Sequence, residues 1–338
     1  MLTSTWGRAC APTFDSALSS GTRLGMRLLA LIVALLLVGC ATPTASPASG
    51  RLDLVDLTDE FAEEADRTAT LDDAARVAGI KQRFSVLLPG FYDSMRFGRH
   101  GAGKYDARLL KALRGLPNER AEIADVSKRF AAMLKPAQRS FEERFGPMTG
   151  YPPVYLVHSL GEFDGGTRSL PDGERLLFGA DMIAQIHRGH SVQPFFHHEL
   201  FHLYHSRSFS GCEAIWCALW TEGLATYVAS QLNPGATDAE LLLVFPEPLR
   251  PAVERDRRYA VCSIRSRLNS SDEDDYNALY SSGGPEKRLP GRFAYYVGFL
   301  VAAQAAEDHS LQELASLSPS QVRPLIEKGL SALASCPE

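Results

Sequence analysis

Residues 197–205 read His-His-Glu-Leu-Phe-His-Leu-Tyr-His and hold four of the chain's nine histidines. One frame within them gives H-E-x-x-H: His198, Glu199 and His202. On a helix, residues i and i+4 share a face, with Cβ atoms about 5–6 Å apart. Two imidazoles at that spacing can converge on one Zn²⁺ at about 2.0–2.1 Å. Glu199 sits beside them and can reach a metal-bound water without being a ligand, which suits it as general base. Leu200, Phe201 and Leu203 are apolar and argue that this helix is buried. Two unpartnered histidines there would cost on the order of a few kcal/mol, and a metal removes that cost. His205, one turn beyond His202 and on the face of His198, is a candidate donor near the site. His197 reads as a satisfied structural histidine.

A catalytic zinc takes three protein ligands and keeps a fourth position open. Downstream of His202 comes Trp220-Thr221-Glu222-Gly223-Leu224-Ala225-Thr226-Tyr227. Paired with His-Glu-Leu-Phe-His, this segment resembles the gluzincin metallopeptidases. Together with the later Tyr295-Tyr296-Val297-Gly298, it is similar to a bacterial domain family described as predicted zinc-dependent proteases. The likeness is specific over 193–230, weaker over 291–330, and carries no motif before 150. It implies that Glu222 is the third ligand of one Zn²⁺ per chain, in a peptidase acting on peptides or proteins. It also implies a downstream group to stabilise the oxyanion. Tyr295 and Tyr296 are candidates for that role, with Arg292 beside them. Gly223 and Ala225 fit, because small residues let two helices approach closely enough to share an ion.

The pattern departs from these families at two places. Thermolysin-like enzymes carry an Asp four residues after the ligand Glu, where it orients an imidazole; here the residue is Thr226. The amine-binding Gly-Ala-Met-Glu-Asn segment is missing, and Gly179-Ala180-Asp181-Met182 is a partial echo. Asp181 reads equally as a substrate-amine ligand and as a turn residue. Two rival functions stay open. One is a non-catalytic, zinc-containing envelope lipoprotein, in which an intact Glu199 would have no job. The other is a zinc hydrolase of a non-peptide amide.

The elements that must position these residues read as a mostly α-helical α+β domain over 51–338, with a small β-sheet packed beside the active-site helix, a zincin-like arrangement. Helical spacing recurs in Leu54–Ala65, Ala74–Phe97, Arg108–Leu113 and Ile123–Phe145, an N-terminal helical portion over 51–146. Pro89-Gly90 is a potential break, and Phe91, Tyr92, Met95 and Phe97 read as core. Val154–Val157 is a short strand. Gly161, Gly165-Gly166 and Pro171-Asp172-Gly173 are turn signals. Leu176–Ile183 reads as a second strand and its exit. From Gln193 the pattern is helical, with Phe293–Ala306 and two short helices last. The Ser-, Asp- and Gly-rich Asn269–Arg288 reads as a loop. Its Asp272–Asp275 run lacks EF-hand spacing, so calcium is the lesser reading.

The 338 residues are 45 % hydrophobic and 22 % charged, with net charge −5. No basic stripe appears, which argues against nucleic acid as a partner. Residues 1–39 read as a lipoprotein-type signal peptide. Arg27 precedes the apolar run Leu28–Val38, too short to span a bilayer comfortably. Leu37-Val38-Gly39-Cys40-Ala41 resembles a bacterial lipobox, with Cys40 lipidated, and 40–50 is a tether. Met26 opens a more typical signal than Met1. The expected location is the bacterial cell envelope, membrane-anchored through Cys40; since residue 41 is not Asp, the resemblance to Gram-negative lipoproteins implies the outer membrane, facing the periplasm. Cys212, Cys217, Cys262 and Cys336 fit two disulfides in an oxidising compartment. Of three pairings, Cys212–Cys217 with Cys262–Cys336 is preferred; a zinc site from these cysteines is the alternative.

Overall fold

The computed structural model describes residues 52–94, 101–283 and 288–337. The signal segment, Cys40 and the tether lie outside them, as do Met95 and Phe97. The described chain is a mostly helical α+β fold with one four-stranded sheet. No described helix is long and apolar enough to cross a membrane.

The helical spacing expected from Leu54 starts only at Thr58. Leu54–Asp56 (β1) instead pairs in parallel with Val154–Val157 (β2). Asp56 ends the strand by accepting hydrogen bonds from the Thr58 backbone N–H and hydroxyl, which starts α1, Thr58–Arg67. Tertiary pairing overrides a short periodic signal here. The second helix, α2 (Asp73–Leu87), is capped by Asp72 and stops before Pro89-Gly90.

The two helical stretches expected over 108–145 are one helix, α3, Ala102–Phe145, running through Pro117 and Pro136. A proline in a helix interior costs about 3 kcal/mol. The buried stripe Tyr105, Leu109, Leu113, Leu116, Ile123, Val126, Phe130, Leu134 and Phe141 outweighs it. Burying each such side chain contributes about 1.5–3 kcal/mol.

Gly165-Gly166, expected as a turn, opens a strand. β3 (Gly165–Leu170) pairs antiparallel with β4 (Gly173–Gly179) across the expected Pro171-Asp172 turn, and the strand order is β1-β2-β4-β3. A Cβ on Gly165 would lie 2.6 Å from the Phe195 ring, so glycine lets this edge strand lie against the helix of the candidate site. The expected exit of the second strand is a helix, α4, Ala180–Ile186. Asp181 in its first turn accepts from the backbone N–H groups of Ser159 and Gly161 (2.6 and 2.7 Å). Both carboxylate oxygens thus hold the loop after β2, the turn role of its two readings.

The helix α5 (Gln193–His205) packs on α6 (Ile215–Leu232), and α6 packs on α10 (Phe293–Ala305). The connecting α7 (Leu249–Arg255), α8 (Arg257–Arg265) and α9 (Glu273–Tyr280) lead to α10, and α11 (Leu311–Ser316) and α12 (Pro319–Leu333) close the chain. The last of these, at 15 residues, is longer than expected. The acidic run read as a loop starts α9. Asp272 caps it and Glu273, Asp274 and Asp275 fill its first turn, where the helix dipole favours negative charge. Cys212–Cys217 and Cys262–Cys336 are disulfides, with Cα atoms 5.8 and 5.5 Å apart.

Gly223 permits a close helix approach, but to α10 instead of α5. A Cβ on Gly223 would lie 2.2 Å from the Gly298 carbonyl carbon, and one on Gly298 would lie 2.5 Å from the Leu219 carbonyl oxygen. Gly298→Ala must therefore push α6 and α10 apart. We expect a loss of about 1–3 kcal/mol, read as a lower urea midpoint. Gly283→Ala, where a Cβ meets nothing within 4 Å, is the control and leaves the midpoint in place.

Candidate metal centre

Three side chains from two helices converge. α5 presents His198 and His202 one turn apart, with Nε2 atoms 2.9 Å from each other. α6 brings Glu222, whose Oε2 lies 3.3 Å from His198 Nε2 and 3.4 Å from His202 Nε2. These three residues form a group able to hold a metal ion. Glu222 is 3 % exposed, and the imidazoles open slightly to solvent.

The electrostatics match this geometry. Burial disfavours ionised Glu222, but the two imidazoles outweigh it and hold the carboxyl far below its usual range. Burial likewise disfavours a charged His202, yet Glu222 and Glu199 reverse the balance and raise its pKa. His198 is lowered by burial, by His202 and by Arg292, with Glu222 opposing. Burial pushes Glu199 up to about 7, with Asp164 and Glu222 adding and His202 and Arg168 opposing. A carboxyl tuned to that range can both accept and return a proton near neutral pH.

Thr226, the departure noted above, still serves an imidazole. Its hydroxyl donates to the Glu222 carbonyl (2.8 Å), which leaves an oxygen lone pair 3.4 Å from His198 Nδ1. An Nδ1–H pointing there leaves the Nε2 lone pair free for a cation.

The remaining candidates part company. Tyr295 is at the site, its ring 6.4 Å from that of His198. Burial and Glu222 raise its phenol pKa well above the usual value, Arg292 opposing, so it stays a proton donor. Tyr296, one residue on, points elsewhere: its hydroxyl donates to Glu254 (2.8 Å) and accepts from Arg250 (3.0 Å). His205 stacks between Phe201 and Phe209, centroids 5.3 and 5.0 Å away, and neither ring nitrogen has a hydrogen-bond partner among the described residues. His197 is fully satisfied: Nδ1 accepts from Asn233 Nδ2 (2.8 Å), and Nε2 faces the Ala137 carbonyl (3.0 Å) and the Ser140 hydroxyl (3.1 Å).

Two features near the site were not read from the sequence. Tyr280 ends α9, packs edge-on against Tyr295 (5.7 Å) and buries a hydroxyl that finds no partner among the described residues. Burial, Tyr276 and Glu222 raise its pKa well above the usual value. The N-cap signal at Asp272 and the i,i+4 pair Tyr276–Tyr280 could have revealed that helix. Asp164, just before β3, faces His187 at 3.6 Å. No family model, curated protein or solved structure matches the chain.

Two predictions follow from these environments. In metal-free protein, His202 adds stability below the ordinary imidazole range and loses it as pH rises through its raised value. A bound cation must displace that proton. The melting-temperature gain from a divalent ion, measured against chelator, will therefore be larger at pH 8 than at pH 6, and Glu222→Ala will remove most of it. His205 behaves oppositely. Burial pushes its pKa down to about 3, with His202 adding, while the unfolded chain takes a proton near the ordinary value. Wild type should lose about 2 kcal/mol from this group between pH 8 and pH 5. His205→Phe keeps the stack and escapes that loss in chemical denaturation.

Proposed function

We propose that the chain is a zinc-dependent peptidase of the gluzincin type. His198, His202 and Glu222 hold the metal, and Glu199 is the general base. The observation that carries this reading is the convergence of two Nε2 atoms and one buried carboxylate oxygen within 4.8 Å of one another.

The donor set fits zinc. Tetrahedral ligands at 2.0–2.1 Å stand ~3.3 Å apart, close to the 3.3 and 3.4 Å separating Glu222 from the imidazoles, while the two Nε2 atoms stand closer, at 2.9 Å. Two imidazoles and one carboxylate are the three-ligand composition of catalytic zinc, whereas structural sites usually take four protein ligands. Zinc supplies Lewis acidity there, making a water more acidic and polarising the scissile carbonyl.

The chain's own residues handle the protons and orientation. Glu199 takes the proton from the attacking water and returns it to the leaving amine. Tyr295 keeps its hydroxyl hydrogen at neutral pH and is the donor for the developing oxyanion. Thr226 keeps His198 in the tautomer that offers Nε2. A lipid on Cys40 would tether the domain at the outer membrane, facing proteins or peptides of the bacterial cell envelope.

Metal analysis and a peptide screen test the proposal together. Wild type should hold about one zinc per chain, lost in Glu222→Ala. Glu199→Gln should keep the zinc while hydrolysis falls by about 10²-fold or more. Unchanged turnover in Glu199→Gln would sink the assignment.

A further inference from the structure

The geometry points to Arg292 as a carboxylate-binding residue beside the candidate metal centre, so that favoured ligands carry a carboxylate. The substrate half of this inference rests on the peptidase reading; the binding half does not.

Arg292 has an unusual backbone. It sits at φ 69°, ψ 9°, the left-handed region, immediately before α10. A non-glycine residue there is uncommon, and strain of this kind clusters at functional sites. Two contacts hold the turn. Gly291 lies so close to the end of α9 that a Cβ would stand 2.5 Å from the Ser281 carbonyl oxygen. The Tyr295 N–H donates to the Arg292 carbonyl at 3.0 Å.

This turn aims the guanidinium at the site. Its central carbon lies 4.4 Å from the Tyr295 ring centroid and 5.9 Å from that of Phe245. The Tyr295 ring is in turn 6.4 Å from His198. The positive charge is felt at His198, Tyr295 and Asp164. Yet Arg292 makes no ion pair among the described residues, and its hydrogen bond goes to the Phe245 carbonyl at 3.5 Å. By contrast, Arg250, Arg267 and Arg288 nearby in sequence each hold an acid.

An arginine with free donors, flanked by two aromatic rings, is suited to a carboxylate. Its fork matches two carboxylate oxygens, and apolar walls strengthen the pair. The carboxylate can be a chain terminus or an Asp or Glu side chain.

Calorimetry with N-acetylglutamate and N-acetylglutaminamide, which carries no carboxylate, on zinc-loaded and metal-free protein, tests the binding half. Wild type should bind the acid at least tenfold more tightly than the amide. Arg292→Asn, which tolerates the left-handed backbone, should erase that ratio, and Arg292→Lys should keep part of it. Matched peptides test the substrate half: free-acid against amidated termini, and Glu against Gln beside the cleaved bond. The pair showing the larger kcat/KM ratio names the source of the carboxylate, and that ratio should fall to about one in Arg292→Asn. A binding or kcat/KM ratio that survives Arg292→Asn, or a wild type without either preference, overturns the proposal. Retained acid-over-amide binding in a protein that cleaves nothing upholds the carboxylate site and discards the peptidase reading instead.

Discussion

A carboxylate with almost no access to water faces two imidazole nitrogens only 2.9 Å apart. Two nitrogen lone pairs cannot confront each other at that distance without a proton or a metal ion between or beside them. Buried charge is tolerable only when compensated. The arrangement is thus incomplete without positive charge, and the surrounding structure keeps all three groups where that charge must sit. α5 supplies the imidazoles through local helical spacing. α6 supplies the carboxylate and, four residues later, the hydroxyl that faces Nδ1 of one of them.

α6 can do this because it is gripped from both sides. Its Gly223 lies against Gly298, a contact that any side chain would break. Tyr295, one turn before Gly298, is carried to the site by the same crossing. On the far side of α5, Gly165 lets the edge strand reach Phe195. Cys212–Cys217 closes the first turn of α6 covalently, five residues before Glu222. Glycine therefore acts here mainly by permitting contact, with conformational freedom secondary.

Much of the site was legible because its core is local. His198, Glu199 and His202 lie within five residues of one helix, and a 3.6-residue period places them without any tertiary knowledge. Glu222 needed the resemblance to a family motif, since nothing in its own segment says which way α6 packs. The sequence could not separate Tyr295 from Tyr296, because neighbours on a helix diverge by about 100° and the core decides which faces in. Gly223 was read correctly as a contact residue but matched to the wrong helix. The errors in the fold share a cause. Leu54–Asp56 became a strand because β2 was available to pair with it, and α3 runs through two prolines because its buried stripe is long. A run of acids resembling a solvated loop was a helix cap, and this hid Tyr280.

His197 and His198 are adjacent, yet one is anchored to the scaffold and the other belongs to the group able to hold a cation. The anchored ring is clamped by Asn233 on one flank and by Ala137 and Ser140 on the other. It thereby works as an indexing pin for the angular phase of α5. Rolling that helix by a single residue would swing both imidazoles of the candidate site off target together. The aim of the candidate site is in this sense delegated to a histidine that is not part of it.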